Sequence, residues 1–173
     1  MEHWLSIDEF PRYSVSDQGR VRNDDTGRIL ATTINQAGVV MVGLTRDGRQ
    51  YKRGVAKLVA DRWLPHHGSD DIFTVPMHLD GNRRNNAANN LLWRPRWYAA
   101  KYLNQFERYR PPFVNCPIIE TQTGAIFENS WEATITYGVL ETHVAQSFHA
   151  FQGAGEIQPA WPLMYTFRRY DGE

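Results

Sequence analysis

Apolar positions alternate with polar ones through most of the first half of the chain, which predicts short strands there rather than helices. Trp4, Ile7, Phe10, Tyr13 and Val15 recur at near-alternate positions ahead of Asp17-Gln18-Gly19 and Arg20-Val21-Arg22, the pattern of a β-hairpin. Asp24-Asp25-Thr26-Gly27 marks a second turn, Ile29 to Thr33 a short strand, and Val39 to Leu44 a stronger one. Arg46-Asp47-Gly48 reads as a hairpin turn, with Gln50 to Arg53 returning from it. The period then changes. Val55, Leu58, Val59 and Trp63 fall at helical spacing, and Pro65 ends that helix because it cannot continue one. His66-His67-Gly68-Ser69-Asp70-Asp71 follows as a polar loop, in which the paired histidines and aspartates read as solvated residues ahead of a metal site.

Residues 75 to 93 are the centre of the pattern. Val75 and the run Leu91-Leu92-Trp93 are short strand candidates, and between them lies a polar loop built on Asp80-Gly81-Asn82 and a series of asparagines. His78 stands beside that turn, twelve residues before Asn90. Pro95 suits the first turn of a helix running from Arg96 to Tyr109, with Trp97, Ala100, Tyr102, Leu103 and Phe106 along it. Arg110-Pro111-Pro112-Phe113 is stiff, and it places a domain boundary between residues 1–110 and 111–173. Past it the pattern gives a small hairpin around Gln122-Thr123-Gly124-Ala125. A short helix from Trp131 to Tyr137 follows, with Ser130 as its N-cap and Gly138 as its breaker. A second helix runs from about Glu141 or Thr142 to Ala150, and a closing strand covers Tyr165 to Tyr170. Two short helices around a glycine turn resemble a helix-turn-helix. The fold class is therefore α+β: antiparallel hairpins, a strand–loop–strand–helix unit, and a small ββαα(β) helix-turn-helix-like module.

Charge changes this picture more than composition does. The 173 residues carry 19 Lys and Arg against 19 Asp and Glu, a neutral balance that does not by itself announce a nucleic-acid binder. The distribution is uneven, however. Residues 1–110 hold 17 basic against 12 acidic side chains and residues 111–173 hold 2 against 7, so the halves are +5 and −5. That asymmetry suggests a polyanion-facing first part and a differently employed second part. No apolar run approaches the ~18 residues of a membrane helix. The amino terminus lacks the basic and apolar regions of a secretion signal, and Cys116, the single cysteine, excludes an internal disulfide and a cysteine-based zinc site. These features lead us to expect a cytoplasmic protein with no membrane partner.

The first hundred residues resemble the phage-type HNH homing endonucleases. Trp4, Ile7, Phe10, Tyr13-Ser14-Val15-Ser16 and Gly19-Arg20-Val21-Arg22 are similar to the nuclease-associated module at the amino terminus of that family. Val55 to Ala60 is similar to the segment ahead of its catalytic motif. His78-Leu79-Asp80-Gly81-Asn82, Asn85-Asn86 and Asn90-Leu91-Leu92-Trp93 are similar to the motif itself. The tail, with Thr123-Gly124, Phe127, Ser130, Glu132-Ala133, Gly138-Val139 and Tyr165 to Phe167, resembles the helix-turn-helix modules appended to such enzymes.

The resemblance implies a ββα-metal core and hydrolysis of a DNA phosphodiester with Mg²⁺ or Mn²⁺. His78 then matches the base and Asn90 the residue that orients it. The family's metal ligand before the base is replaced here by Met77, its second ligand, nine residues after the orienting asparagine, by Ala99, and a further histidine in the preceding segment by Ala56. A thioether is soft and a methyl group is no ligand, whereas Mg²⁺ and Mn²⁺ want oxygen.

No metal ligand is therefore assigned. The leading expectation is a double-stranded-DNA-binding protein on this scaffold with weak or lost cleavage. An active Mg²⁺- or Mn²⁺-dependent endonuclease or nickase is the alternative. The third reading is a phage factor that binds a host or virion protein through the acidic residues 111–173. Phosphate contacts are expected from Arg20, Arg22, Lys57, Arg83, Arg84, Arg94, Arg96 and Lys101. Base reading is expected from Thr142, His143 and Gln146 on the second helix of the tail.

Overall fold

The computed structural model describes residues 1–65, 72–107, 110–154, 156 and 158–172; the His66-His67 and Asp70-Asp71 pairs lie outside these. The chain divides into two compact units, Met1–Ala99 and Ala100–Glu173.

Unit 1 opens with two three-stranded antiparallel sheets. The first holds β1 (Trp4–Ile7), β2 (Phe10–Ser16) and β3 (Val21–Asn23), and the second β4 (Thr32–Ile34), β5 (Val40–Arg46) and β6 (Arg49–Gly54), each in chain order. The strand expected over Ile29 to Thr33 forms later, at Thr32–Ile34, and Ile29 makes only an isolated bridge to Arg22. Between β5 and β6 the two-residue turn puts Asp47 at φ 52° and Gly48 at φ 72°. Both angles are positive, as the tight hairpin turn whose twist matches its strands requires. Alternation along β5 buries Val40, Val42 and Leu44. These pack with Ile7, Phe10, Val15 and Val21 of the first sheet, with Leu91, and with Val55, Leu58 and Val59 of α1 (Val55–Trp63). Leu64 closes α1 in extended conformation, as a residue before proline must.

β7 (Val75–His78) and β8 (Leu91–Arg94) pair antiparallel in the register Val75↔Arg94, Pro76↔Trp93, Met77↔Leu92 and His78↔Leu91. The polar residues 79–90 are thus the connection of this ribbon, closing with a 3₁₀ turn at Ala88–Asn90. Helix α2 (Arg96–Asn104) follows directly; the carbonyl of Pro95 accepts from the N–H groups of Tyr98 and Ala99, both at 3.0 Å.

The helix stops at Asn104, short of the expected Tyr109. Gln105 leaves it because its side-chain oxygen accepts from the N–H of Glu141 at 2.8 Å, and Phe106 leaves because its ring packs on Trp131 at 5.0 Å. The division between the two units falls within α2.

Unit 2 is a sheet in the order β10 (Ile126–Phe127), β9 (Ile118–Glu120), β11 (Phe167–Arg169), with α3 (Ser130–Tyr137) and α4 (Glu141–His149) packed on it through Ala133, Val139, Val144 and Phe148. The N-cap of α3 is Asn129, one residue before the Ser130 expected: its Oδ1 accepts from Trp131 N–H at 2.9 Å and Glu132 N–H at 3.0 Å. Ser130 is buried instead. Its hydroxyl donates to Glu141 at 2.6 Å and accepts from Val114 N–H at 3.0 Å. Gly138, at φ 59°, closes α3 in the left-handed conformation that glycine tolerates without cost. The buried Glu141 also takes the N–H of Phe113 at 2.9 Å and an ion pair from Arg110 at 2.7 Å, fastening the start of α4.

Candidate functional site

The loop between β7 and β8 is held by its own amide side chains. Asp80 accepts from Asn82 N–H (2.8 Å) and Asn90 Nδ2 (2.9 Å) on one carboxylate oxygen, and from Asn85 Nδ2 (2.8 Å) on the other. Asn90, 8 % exposed, closes the circle: its Oδ1 accepts from the N–H of Asp80 at 3.1 Å and its Nδ2 also donates to the carbonyl of Asn85 at 2.8 Å. Short Asx side chains reach backbone groups two to three residues away, and this is why an asparagine-rich run can build a rigid loop without a core. Burial alone would raise the carboxyl of Asp80, but the hydrogen bonds from Asn85, Asn90 and the Asn82 N–H, together with His78, outweigh it and hold it below the ordinary carboxylate range.

His78 ends β7 with its ring half-buried against this loop. Its Nε2 lies 3.0 Å from Oδ1 of Asn86. The amide of Asn86 is oriented by its own donation from Nδ2 to the carbonyl of Arg84 at 3.3 Å. With Oδ1 facing the ring, this orientation suits Nε2 as the protonated nitrogen, the tautomer that leaves the lone pair on Nδ1. Burial pushes His78 below its ordinary value of 6.5; Asn86 and Asp80 oppose this shift and Arg83 adds to it. A neutral imidazole with a free Nδ1 is suited to accept a proton near neutral pH.

Asn90 was the residue expected to orient His78. The side chain that meets the ring is instead Asn86, and Asn90 acts one step away, by fastening Asp80 and Asn85. A run of asparagines does not reveal which one faces the imidazole, so spacing alone missed Asn86, which is 5 % exposed.

The two positions where the resemblance implies metal ligands do not supply them. Met77 is 3 % exposed, within β7 and opposite Leu92. Ala99 carries only a methyl group. Asp80, the nearest carboxylate in sequence, has both oxygens engaged by loop donors. Among the described residues no three His, Cys, Asp or Glu side chains converge. This donor set does not fit Mg²⁺ or Mn²⁺.

The expected phosphate contacts divide three ways. Arg84 and Arg96 are exposed and make no ion pair among the described residues, and Lys101 is exposed on α2. Arg20 pairs with Glu2, Arg22 with Asp24 at 3.1 Å, and Lys57 with Asp61 while lying 4.5 Å from the Trp93 ring; Arg83 donates to the carbonyl of Ala37. Arg94 leaves the set. It is 3 % exposed, its guanidinium donates to the carbonyl of Trp93 at 3.0 Å, and a buried cation has no path to a backbone phosphate. Further exposed cations include Arg28, Arg49 and Lys52, the last two on β6, three residues apart and so on opposite faces of the strand, which alternation does not single out.

On α4, Thr142 and Gln146 are exposed as expected. His143 is half-buried, with Nδ1 3.4 Å from the carbonyl of Trp161. Thr142 and Gln146, with His149 and Phe113, border an open hollow of about 570 Å³. Two of the seven acids that made residues 111–173 acidic, Glu120 and Glu141, are wholly buried, the first holding the turn that follows β9 and the second the start of α4, so the surface there is less negative than the count.

Small antiparallel sheets ahead of a strand–loop–strand–helix unit, followed by a helix-turn-helix-like module, define an HNH-type architecture. Comparison with known proteins places the chain further. Residues 2–45 match the NUMOD4 motif, which is found in HNH homing endonucleases. Two uncharacterized HNH endonucleases of Acanthamoeba polyphaga mimivirus are similar in sequence. One is 30 % identical over 90 residues, 52 % of this chain, and the other 26 % identical over 111 residues, 64 % of it. The match covers 26 % of each relative, so the chain spans about a quarter of the length of the curated relatives it matches. Among solved structures, the HNH homing endonuclease I-HmuI, described in terms of its DNA binding and cleavage, aligns over 99 % of both chains with a TM-score of 0.53 at 21 % identity. The fold is that of an HNH homing endonuclease. No helix of the described residues is long and apolar enough to cross a membrane.

Proposed function

We propose that this chain binds double-stranded DNA on an HNH scaffold and has weak or lost metal-dependent cleavage. The observations that carry the second half are that Met77 is a buried thioether and Ala99 a methyl group, while Asp80 accepts loop donors on both oxygens. Support for the first half comes from the fold and from the surface cations Arg84, Arg96, Arg49 and Lys52, which make no ion pair among the described residues. These side chains would neutralise backbone phosphates and set register, while Thr142 and Gln146 of α4 would meet base edges.

The test has two arms. A short duplex retained at low salt should be released steeply as salt rises, because each phosphate neutralised returns counterions to solution. Absence of retention at low salt overturns DNA binding. In the second arm, supercoiled plasmid incubated with Mg²⁺ or Mn²⁺ should stay largely intact, and Met77→Asp combined with Ala99→Asn should increase nicking. Robust nicking by the natural chain that disappears in His78→Ala overturns the loss of cleavage. One observation favours that active reading: burial holds His78 below its ordinary value, and its Nε2 lies 3.0 Å from Asn86 Oδ1.

A further inference from the structure

The loop that carries His78 is braced by three separate points of the amino-terminal segment matched by the NUMOD4 motif. The carbonyl of Asp17 accepts the N–H of Ala88 at 2.8 Å, and the carbonyl of Ala37 accepts the guanidinium of Arg83. The third point is steric. Gly19, at φ 79° in the turn between β2 and β3, lies so close to Asn86 that a Cβ built on it would stand 2.9 Å from both the Cβ and the carbonyl oxygen of Asn86. No side chain fits there, so glycine is required twice over, once by its backbone angle and once by the contact. Asn86 is the residue whose amide meets the His78 ring.

We infer that the turn Asp17-Gln18-Gly19 is a positioning element for His78: it presses Asn86 into place, and Asn86 holds the imidazole as its Nε2–H form with Nδ1 open. The amino-terminal module and the histidine loop then act as one unit, and a change in the module's turn is felt at an imidazole it does not touch. Gly19 and Asn86 are positioning residues, since neither acts except through His78. The inference is independent of whether the chain cuts DNA, because it is read on the ring itself.

The experiment is ¹⁵N–¹H long-range correlation spectroscopy of the histidines in the full, ¹⁵N-labelled chain at neutral pH, with His78 assigned from the signals that vanish in His78→Gln. The natural chain should show one neutral His78 form, with Nε2 protonated and Nδ1 bare. Asn86→Leu, which removes the acceptor, should mix the two tautomers; Asn86→Asp, which keeps an oxygen toward the ring, should restore the single neutral form at alkaline pH, where the imidazolium that a facing carboxylate favours has lost its proton. Gly19→Ala should mix the tautomers as Asn86→Leu does. The control is Gly27→Ala: Gly27 has a similar positive φ of 68° but nothing within 4 Å of its added Cβ, so it brings the same backbone strain without the push on Asn86. His78 should be unchanged in that variant. A protonated Nδ1 in the natural chain, an unmixed His78 in Asn86→Leu, or identical His78 signals in Gly19→Ala and Gly27→Ala would each overturn the inference. Should Gly19→Ala fail to fold while Gly27→Ala folds, Ala88→Pro is read in its place: it removes the N–H that the Asp17 carbonyl accepts, at the first position of a 3₁₀ turn where proline is tolerated, and it should mix the His78 tautomers; an unmixed His78 in that variant overturns the inference.

Discussion

Asn90 shows how much one amide can organise. Truncation to alanine would leave the N–H of Asp80 and the carbonyl of Asn85 without their partner and would free the Asp80 carboxylate, at a cost of about 2 kcal/mol. Denaturant unfolding measures this directly, and a loss under about 0.5 kcal/mol would show that water replaces Asn90 without penalty. His78 and Asp80 both titrate below their ordinary values of 6.5 and 3.8. For each, the folded form binds its proton less readily than the unfolded chain. Their contribution to stability is therefore complete above those ordinary values and is lost as pH falls through the lower folded ones. Unfolding free energy should begin to fall below about pH 6.5, and His78→Gln should flatten that first part of the curve while leaving the part below pH 4. A stability that rises as pH drops from 7 to 5 would contradict the burial of a neutral ring.

At the scale of elements, α3 and α4 depend on polar fastenings more than on length. Each is under ten residues, too short to persist alone. Asn129→Ala removes the cap of α3 and should cost about 1 kcal/mol. Glu141→Ala strands Arg110, the Ser130 hydroxyl and the Phe113 N–H together, and should cost about 3 kcal/mol, more than the cap. Hydrogen exchange at the α3 and α4 amides reads both, and equal effects of the two substitutions would sink the ranking. The β7–β8 ribbon works differently: its strands are four residues each, and its rigidity comes from the loop they enclose.

Across the whole molecule, the surface rather than the count sets affinity for a polyanion. Arg84→Ala removes an exposed cation that makes no ion pair among the described residues and should reduce the slope of log affinity against log salt by about 0.9 if it meets a phosphate. Arg94→Ala, although the same change in charge, should leave that slope as it was and lower stability instead, since its guanidinium is buried. A reduced slope in Arg94→Ala with unchanged stability would reverse this assignment. The acidic balance of residues 111–173 likewise says less about partners once Glu120 and Glu141 are seen to be internal.

Much of this was legible in one dimension. The alternation of Val40, Val42 and Leu44, the helical spacing of Val55, Leu58 and Val59, the Asp47-Gly48 and Gly138 turns, and the spacing of His78, Asn90, Met77 and Ala99 are all local, because burial period and turn geometry are properties of a few consecutive residues. They determined the fold class and the resemblance. What they could not determine was which of several identical side chains meets a given partner, or which charges are inside. Asn86 rather than Asn90 faces His78 because the Gly19 turn, far away in sequence, leaves it no other place. Arg94 and Glu141 are buried because packing, not charge, decides where a strand and a helix end are covered. Hydrogen-bond partners and burial depend on contacts between distant segments, and only the folded chain brings those segments together.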